Sequence, residues 1–422
     1  MGKKDDSLAI DLNKDPIMNF IVNTLGVEAI YWVLLLNVLV VIYVWCTGNL
    51  FELSVPARVE PLVDVSRLNM ITPLRDPIFF TGILIVIIVG YVWLRLSSEL
   101  PKSLHDLQKN GIIKGKKIIK KKKIGGAVIL RKPFIFLDNL YTEKVLLPKA
   151  KERREKMDDY EIFLARFEHV LNTKLSYLFA IGGIVLVLYI IYYFTSKTPI
   201  EESLTLIWID YRFFPINTII YETIWVFWYF IIAIMVWKLL QIAIYVKRLF
   251  DEFETDIKPF HPDKCGGLKP ITQIVMNINL LVFAAGISFA VIYSSYMKSL
   301  IPNIGVIIAG YVLVSIFLFF YPLAGARESM KVNKEQFLKL FSKPLNSEYE
   351  LIFEEFRNGI DEYDKHLDEK HLTKVKVLRD FYIQAAKMPV WPFDRDSILA
   401  FASRVLLPIF LIVISAVMMK YV

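Results

Sequence analysis

The sequence predicts an all-α, polytopic membrane protein with seven transmembrane helices, helical cytosolic extensions, an inside amino terminus and an outside carboxyl terminus. Three observations predict it. Apolar residues make up 55% of the 422 positions and aromatic residues 14%, too many for a soluble chain unless they are gathered into runs. They are so gathered, in stretches that approach or exceed the ~20 residues needed to cross a hydrocarbon core. Lysine and arginine, finally, fall on alternate sides of those stretches.

In chain order the expected spans are Ala29–Cys46, "AIYWVLLLNVLVVIYVWC", then Pro77–Leu94, opened by a proline where a helix tolerates one. Tyr177–Thr195, Ile219–Val246, Ile274–Tyr296 and Ile304–Leu323 follow, and Ile398–Met419 is the seventh. The chain divides accordingly into a cytosolic amino-terminal segment (1–28), two spans (29–94), a basic cytosolic region (95–176), four spans (177–324), a cytosolic helical region (325–397) and the last span (398–422). With the amino terminus inside, the inner segments hold about 41 of the 50 basic residues, the distribution of the positive-inside rule. Arg95, Lys174, Lys247, Arg248 and Arg327 sit at the inner ends of spans and agree. The expected location is therefore the cell membrane, with multiple crossings.

Between the spans, "KGKKIIKKKK" at Lys114–Lys123 reads as a basic flank resting on anionic lipid headgroups. No aromatic residues are interleaved as base-stacking platforms, so membrane lipids and not nucleic acid are the expected partner. From Asn346 to Met388 a charge-rich stretch without proline predicts a long cytosolic helix, with Phe356, Ile360, Tyr363 and Leu367 as one stripe. Pro389 and Pro392 break that helix, and Trp391 and Phe393 are expected at the membrane interface. The opening "MGKKDDSLAIDLNKDP" has no apolar core and does not read as a cleaved signal peptide. Cys46 and Cys265 are the two cysteines and form no disulfide framework.

One stretch imitates a signature. "FHPDKCGGLKPI" (Phe260–Ile271) contains the His-Pro-Asp of J-domain co-chaperones, but the neighbouring spans leave no room for a second soluble helix. His261, Asp263 and Cys265 lack a second ligand pair at metal-site spacing, so no metal is expected. The reading is a structural turn: Pro262 ends the extension of span four, Asp263 accepts backbone N–H groups, Gly266 and Gly267 give backbone freedom, and Pro270 starts the next helix. His261 belongs to the same turn, which would pin the inner ends of spans four and five together.

Polar groups within spans are the usual pointers to transport or catalysis. Lys238 lies near the inner end of span four, where it can snorkel to the interface. Asn37, Gln273, Asn277 and Asn279 predict interhelical hydrogen bonds. Gly286, Ala290 and Ser294, and Gly305 with Ala309, form small-residue stripes that permit close helix packing. No zinc-protease His-Glu-x-x-His, paired intramembrane aspartates, serine elbow or phosphate-binding glycine loop is present, so neither enzyme activity nor a cofactor is expected.

Chain length, seven spans, an inside amino terminus, cytosolic helices before the last span and an outside carboxyl terminus together resemble the insect odorant and gustatory receptor superfamily of ligand-gated cation channels. The resemblance is one of layout: "LAFASRVLLPIFLIVISAVMMKYV" does not carry the Thr-Tyr and Gln-Phe pattern of the gustatory members. It implies a homotetramer joined by its cytosolic helices, with four copies of the last span around a pore. Leu411, Ser415, Met418 and Met419 would then line an apolar constriction, and Tyr221, Trp225 and Trp228 of span four would contribute to a ligand pocket. Two other classes remain open at this stage. One is a non-conducting scaffold for a cytosolic partner, the other a small-solute or lipid carrier using Asn37, Lys238, Gln273 and Asn277.

Overall fold

The structure is a computed structural model, and it describes residues 10–12, 14–19, 35, 38–39, 42, 77–116, 158–197, 215–258, 261–263, 265–296, 304–358 and 369–421. Its elements are α1 (Pro16–Asn19), α2 (Pro77–Lys109), β1 (Ile113–Lys116), α3 (Asp159–Leu171), α4 (Leu175–Lys197), α5 (Pro215–Glu252), β2 (Phe253–Thr255), α6 (Lys269–Tyr296), α7 (Ile304–Asn358), α8 (Glu369–Lys387) and α9 (Arg395–Tyr421). Among the described residues, five helical stretches are long and apolar enough to cross a membrane: Asp159–Leu186, Tyr229–Glu252, Lys269–Val291, Ile308–Glu354 and Arg395–Ile414. This is the make-up of a helical, multi-pass membrane protein. α2 covers the expected second span. The first lies outside the described residues, except that Leu35, Val38, Leu39 and Ile42 are helical and exposed.

Local chemistry sets several helix ends. α2 and α5 open on Pro77 and Pro215, whose missing N–H is no loss in a first turn. At the start of α3, Glu161 accepts the N–H of Asp158 (3.1 Å), half of a capping box. α9 starts where Asp394 accepts both the N–H (2.9 Å) and the hydroxyl (2.7 Å) of Ser397.

Burial is uneven along the bundle. At one end a dense core forms: Leu96, Leu100, Leu104 and Leu107 of α2 share one helical face and meet Phe163, Phe167 and Leu171 of α3 and Ile242, Val246, Leu249 and Phe250 of α5. Phe167 stacks on Tyr245 with ring centres 4.7 Å apart, and Phe163 meets Phe253 edge-on at 5.5 Å. At the other end the same kinds of side chain face outward, among them Ile181 and Val185 of α4, Ile219 of α5, Leu313 and Phe317 of α7, and Leu406 and Phe410 of α9. Water does not tolerate a surface so apolar, whereas lipid tails do. Arg95, Lys238, Asn277 and Arg404 mark the level where one regime gives way to the other.

The fold departs from the sequence reading in three places. First, it is not wholly helical: β1 and β2 pair antiparallel, with Ile113 opposite Thr255 and Lys116 opposite Phe253. The ladder gives the backbone beyond the carboxyl ends of α2 and α5 hydrogen-bond partners once each helix has stopped, and Lys114 adds an ion pair to Asp256 at 3.0 Å. Second, the expected single helix before the last span is a hairpin. α7 continues from the bundle through Pro322 and Pro344 to Asn358, and α8 returns along it. Phe341 stacks on Phe381 at 5.6 Å, while Glu348 receives His371 (2.8 Å) and Lys374, pairings that only an antiparallel arrangement allows. Of the predicted stripe, Phe356 is in α7, its side chain outside the described residues, as are Ile360, Tyr363 and Leu367 altogether. Third, Trp391 and Phe393 do not stand free at the end of the bundle but are half-buried against it. They pack inward on Phe320 (5.4 and 6.2 Å), and Arg327 lies over the Trp391 ring at 4.7 Å.

The small-residue stripes behave differently from each other. Gly286 is a close-approach site, because a Cβ there would stand 2.7 Å from the Tyr311 ring. Gly305 faces open space and Ala309 is exposed, so that pair joins no helices within the described chain.

Candidate functional site

The polar residues that the bundle brings together lie at its change of character, in two nodes. The first is built around Lys238. Its side chain is 0% exposed, so it does not snorkel as its position in α5 had implied. Instead Nζ donates to Asp15 Oδ2, to the Leu12 carbonyl (2.5 Å) and to Asn172 Oδ1 (3.2 Å), and it lies 5.4 Å from the centre of the Trp93 ring. The amino-terminal segment thus turns back into the bundle, and Ile10 and Leu12 are buried beside it. A charge removed from water needs a partner and full hydrogen bonding, and this one has both.

Asn172 organises the node from the carboxyl end of α3. Its Nδ2 donates to the carbonyls of Asp11 (2.9 Å) and Glu168 (3.0 Å), and its Oδ1 accepts the N–H of Asp15 (3.2 Å) as well as Lys238. The Tyr177 hydroxyl donates to Asp15 Oδ1 at 3.2 Å, and Lys14 pairs with Glu168 at 3.2 Å on the outside. Four separate parts of the chain, the amino-terminal segment, α2, the α3–α4 junction and α5, meet at this one ammonium group.

The second node surrounds one turn of α6. Asn277 Nδ2 donates to Glu99 Oε2 of α2 (2.8 Å), and Glu99 Oε1 accepts Arg95 Nε (2.7 Å). From the other side Arg404 of α9 donates to the Met276 carbonyl (2.8 Å), while its own carbonyl accepts the Tyr311 hydroxyl (3.2 Å). Asn277 therefore makes an interhelical bond of the kind its position in a span predicts. Nearby, Asn279 is buried and its Oδ1 accepts no hydrogen bond.

The turn between α5 and α6 has a firm geometry. Asp263 accepts the backbone N–H groups of Cys265 (2.9 Å), Gly267 (3.0 Å) and Lys269 (3.2 Å), and His261 Nδ1 lies 2.8 Å from its carboxylate. Gly266 and Gly267 have φ of 69° and 91°, a region that costs other residues strain. A Cβ would also meet Ile257 at 2.2 Å from Gly266 and Ile112 at 2.4 Å from Gly267, so the turn is clamped against β1 and β2. Cys265 is buried, and that burial pushes its thiol up to about 11. Among the described residues no three of His, Cys, Asp and Glu converge as a metal cage.

Burial acts to raise the Asp263 carboxyl, but the N–H groups of Gly267 and Cys265, with His261 and Lys269, outweigh it and hold the group below the usual carboxylate range. A group depressed in the folded state stabilises the protein above its unfolded pKa, and that contribution disappears as pH falls through the folded value. Asp263→Ala should lower stability in detergent by about 1–2 kcal/mol at neutral pH. Asp263→Asn should flatten the loss of stability below about pH 4, measured as the thermal unfolding midpoint against pH. An acid limb identical in both proteins would show that the carboxylate does not organise the turn.

The remaining sequence candidates are dispersed. Trp225 is half-buried and 5.7 Å from Tyr229, ring to ring, while the side chains of Tyr221 and Trp228 lie outside the described residues. Leu411 is 39% exposed, on the margin of the α9 stripe (Val405, Pro408, Ile412) that is buried in the bundle. The side chains of Ser415, Met418 and Met419 are outside the described residues. Missing from the sequence reading were Asp15, Asn172 and Glu99. The available signal was the alternation of Ile10 and Leu12 with Asp11 and Asn13 in a segment before the first span, a pattern that belongs against a wall rather than free in water.

The fold and these nodes define a class: a helical membrane protein whose crossing helices are tied together at one end by internal ion pairs and hydrogen bonds. No family model, curated protein or solved structure matches the chain, so its functional reading rests on its own residues.

Proposed function

We propose that the protein is a homotetrameric, ligand-gated cation channel of the cell membrane. In this reading seven helices cross the bilayer, the amino terminus is inside, the carboxyl terminus is outside, and α9 from each subunit surrounds a shared axis. Helix lengths support the placement. From Arg95, Lys238, Asn277 and Arg404 outward, α2, α5, α6 and α9 each run about 17–23 residues, roughly 25–35 Å at 1.5 Å per residue. That agrees with a hydrocarbon thickness of ~30 Å; in this reading the polar nodes lie at the inner headgroups, with the dense core below them in water.

The observation that carries the proposal is the set of large apolar side chains left exposed on the α7–α8 hairpin. Phe353 is 76% exposed, Leu340 63% and Leu372 51%, in a charge-rich segment where lipid does not reach. Water-exposed side chains of this size favour association, and the hairpin leads through a short break directly into α9. Copies joined at the hairpin would bring their α9 helices around one axis. α9 is held to the bundle through Phe401, Arg404, Val405, Pro408 and Ile412, which leaves Phe410 and Ile414 uncovered, with Leu411 at the margin. A pore lined this way closes by excluding water. Tyr221, Trp225 and Trp228 remain the proposed ligand contacts.

The same exposed side chains are what a scaffold would offer to a different cytosolic partner, and particle images in detergent separate the two. Four-fold particles of the protein alone support the channel, and monodisperse single subunits favour the scaffold. The carrier reading is weaker, because Lys238 and Asn277 are engaged within the chain. Planar-bilayer recording is the direct test. Cation currents that vanish on deletion of residues 398–422 and rise at rest in Phe410→Ala are expected. Silence from a verified tetramer across ligands and voltages would overturn the proposal.

A further inference from the structure

The second polar node has chemistry left over. Two arginines approach the Met276–Asn277 turn of α6 from opposite sides, Arg404 from α9 and Arg95 from α2 by way of Glu99. Among the described residues one carboxylate, Glu99, stands against the two of them, which leaves one positive charge over. Arg404 has no carboxylate partner among the described residues, and only one of its five N–H groups is bonded, to the Met276 carbonyl. Arg95 keeps 43% of its side chain exposed. A guanidinium half withdrawn from water and left unpaired is a standing demand for an anion.

What lies beyond the pair identifies the anion. α6 packs against both α2 and α9 and forms a floor between them. α9 runs parallel to α6, since Lys269 meets Asp394, Met276 meets Arg404, and Ala290 clusters with Ile412. α2 runs antiparallel, since Ile112 lies over Gly267 and Glu99 beside Asn277. One and two turns outward from Arg95 therefore come Tyr91 and Ile87. One and two turns outward from Arg404 come Leu407 and Leu411. All four are exposed, Ile87, Leu407 and Leu411 apolar and Tyr91 aromatic with its hydroxyl toward Arg95. The groove is cationic at its inner end and greasy along the rest.

We propose that this groove between α2, α6 and α9 binds an anionic phospholipid, its phosphate in the fork of Arg95 and Arg404 and an acyl chain beside Ile87, Tyr91, Leu407 and Leu411. Guanidinium suits this role because its planar donors match phosphate oxygens two at a time. A free phosphate would use the arginines but none of the apolar walls, and an acidic side chain from a second copy would do the same.

Native mass spectrometry of the purified protein, released from mixed micelles of phosphatidylglycerol and phosphatidylcholine in equal amounts, tests this. Wild type should retain phosphatidylglycerol over phosphatidylcholine, and Arg95→Gln with Arg404→Gln should reduce that preference by about tenfold. Arg95→Gln alone changes a largely exposed side chain, so it keeps the test open if the double variant does not fold, and it should give an intermediate preference. Ile87→Asp should weaken retention of phosphatidylglycerol with both arginines intact. Equal retention of the two lipids by wild type, or an unchanged preference in both arginine variants, would overturn the proposal. Displacement of the lipid by millimolar inorganic phosphate, with no effect of Ile87→Asp, would assign the arginines to free phosphate and overturn it too. Loss of subunit association in the double variant, with lipid retention unaltered, would assign them to a second copy.

Discussion

Replacing Asp15 with alanine should lower stability by about 3–5 kcal/mol, the cost of leaving one member of a buried ion pair uncompensated. Lys238 then keeps the Leu12 carbonyl and Asn172 Oδ1 as hydrogen-bond partners, without a carboxylate in direct contact. Lys238→Met should be milder, because Asp15 keeps the Tyr177 hydroxyl as a donor. The double change, Asp15→Leu with Lys238→Met, should come close to wild type, since an apolar pair of similar volume carries no desolvation penalty. Unfolding midpoints in detergent measure all three, and a loss in the double variant equal to the sum of the two single losses would show that the pair is not coupled. A second readout follows the segment itself. Lys14 is exposed, so limited trypsin should cut there faster in Asp15→Ala than in wild type if the segment leaves its seat.

Gly325→Leu should cost about 3 kcal/mol, toward the upper end for overpacking. A Cβ at this position would stand 2.8 Å from the Lys247 carbonyl oxygen and 2.9 Å from the Phe250 Cβ. The nearest atom is helical backbone, which has no rotamer to give, so α5 and α7 would have to move apart. Even Gly325→Ala should be destabilising here, although alanine is the better helix former by about 1 kcal/mol. Gly305→Ala supplies the control, because Gly305 is also helical but faces open space. It should be neutral or slightly stabilising. If the two alanine variants shift the unfolding midpoint alike, contact between α5 and α7 is not what Gly325 protects.

Much of this architecture was legible in the residues. Apolar runs near twenty residues long become helices because a backbone buried in lipid has to satisfy its own hydrogen bonds, and that follows from composition alone. The Asp263 turn was legible for a local reason too. Its acceptor, its donors and its two glycines with positive φ lie within six residues of one another. The hairpin of α7 and α8 was not, because a charged amphipathic stretch looks the same whether it runs straight or returns on a neighbour. Only the meeting of Phe341 with Phe381, and of Glu348 with Lys374, tells them apart. The β1–β2 ladder escaped for a related reason, since three or four residues beside a lysine run have no period long enough to read.

By itself, then, the sequence determined that this is a helical membrane protein, which stretches form its helices and which flanks carry its positive charge. Those properties depend on each segment's own contact with lipid or water. The tertiary structure alone decided the fate of the charges within the helices. Asp15 and Lys238 are 223 positions apart, and a lysine in an apolar run reads as a snorkelling side chain until the fold brings a carboxylate to it. The same holds for Arg404, whose neighbours across the α6 turn come from the far end of α2. Coulomb's law acts across space without regard to chain order, so partners so far apart leave no periodic trace for a sequence to show.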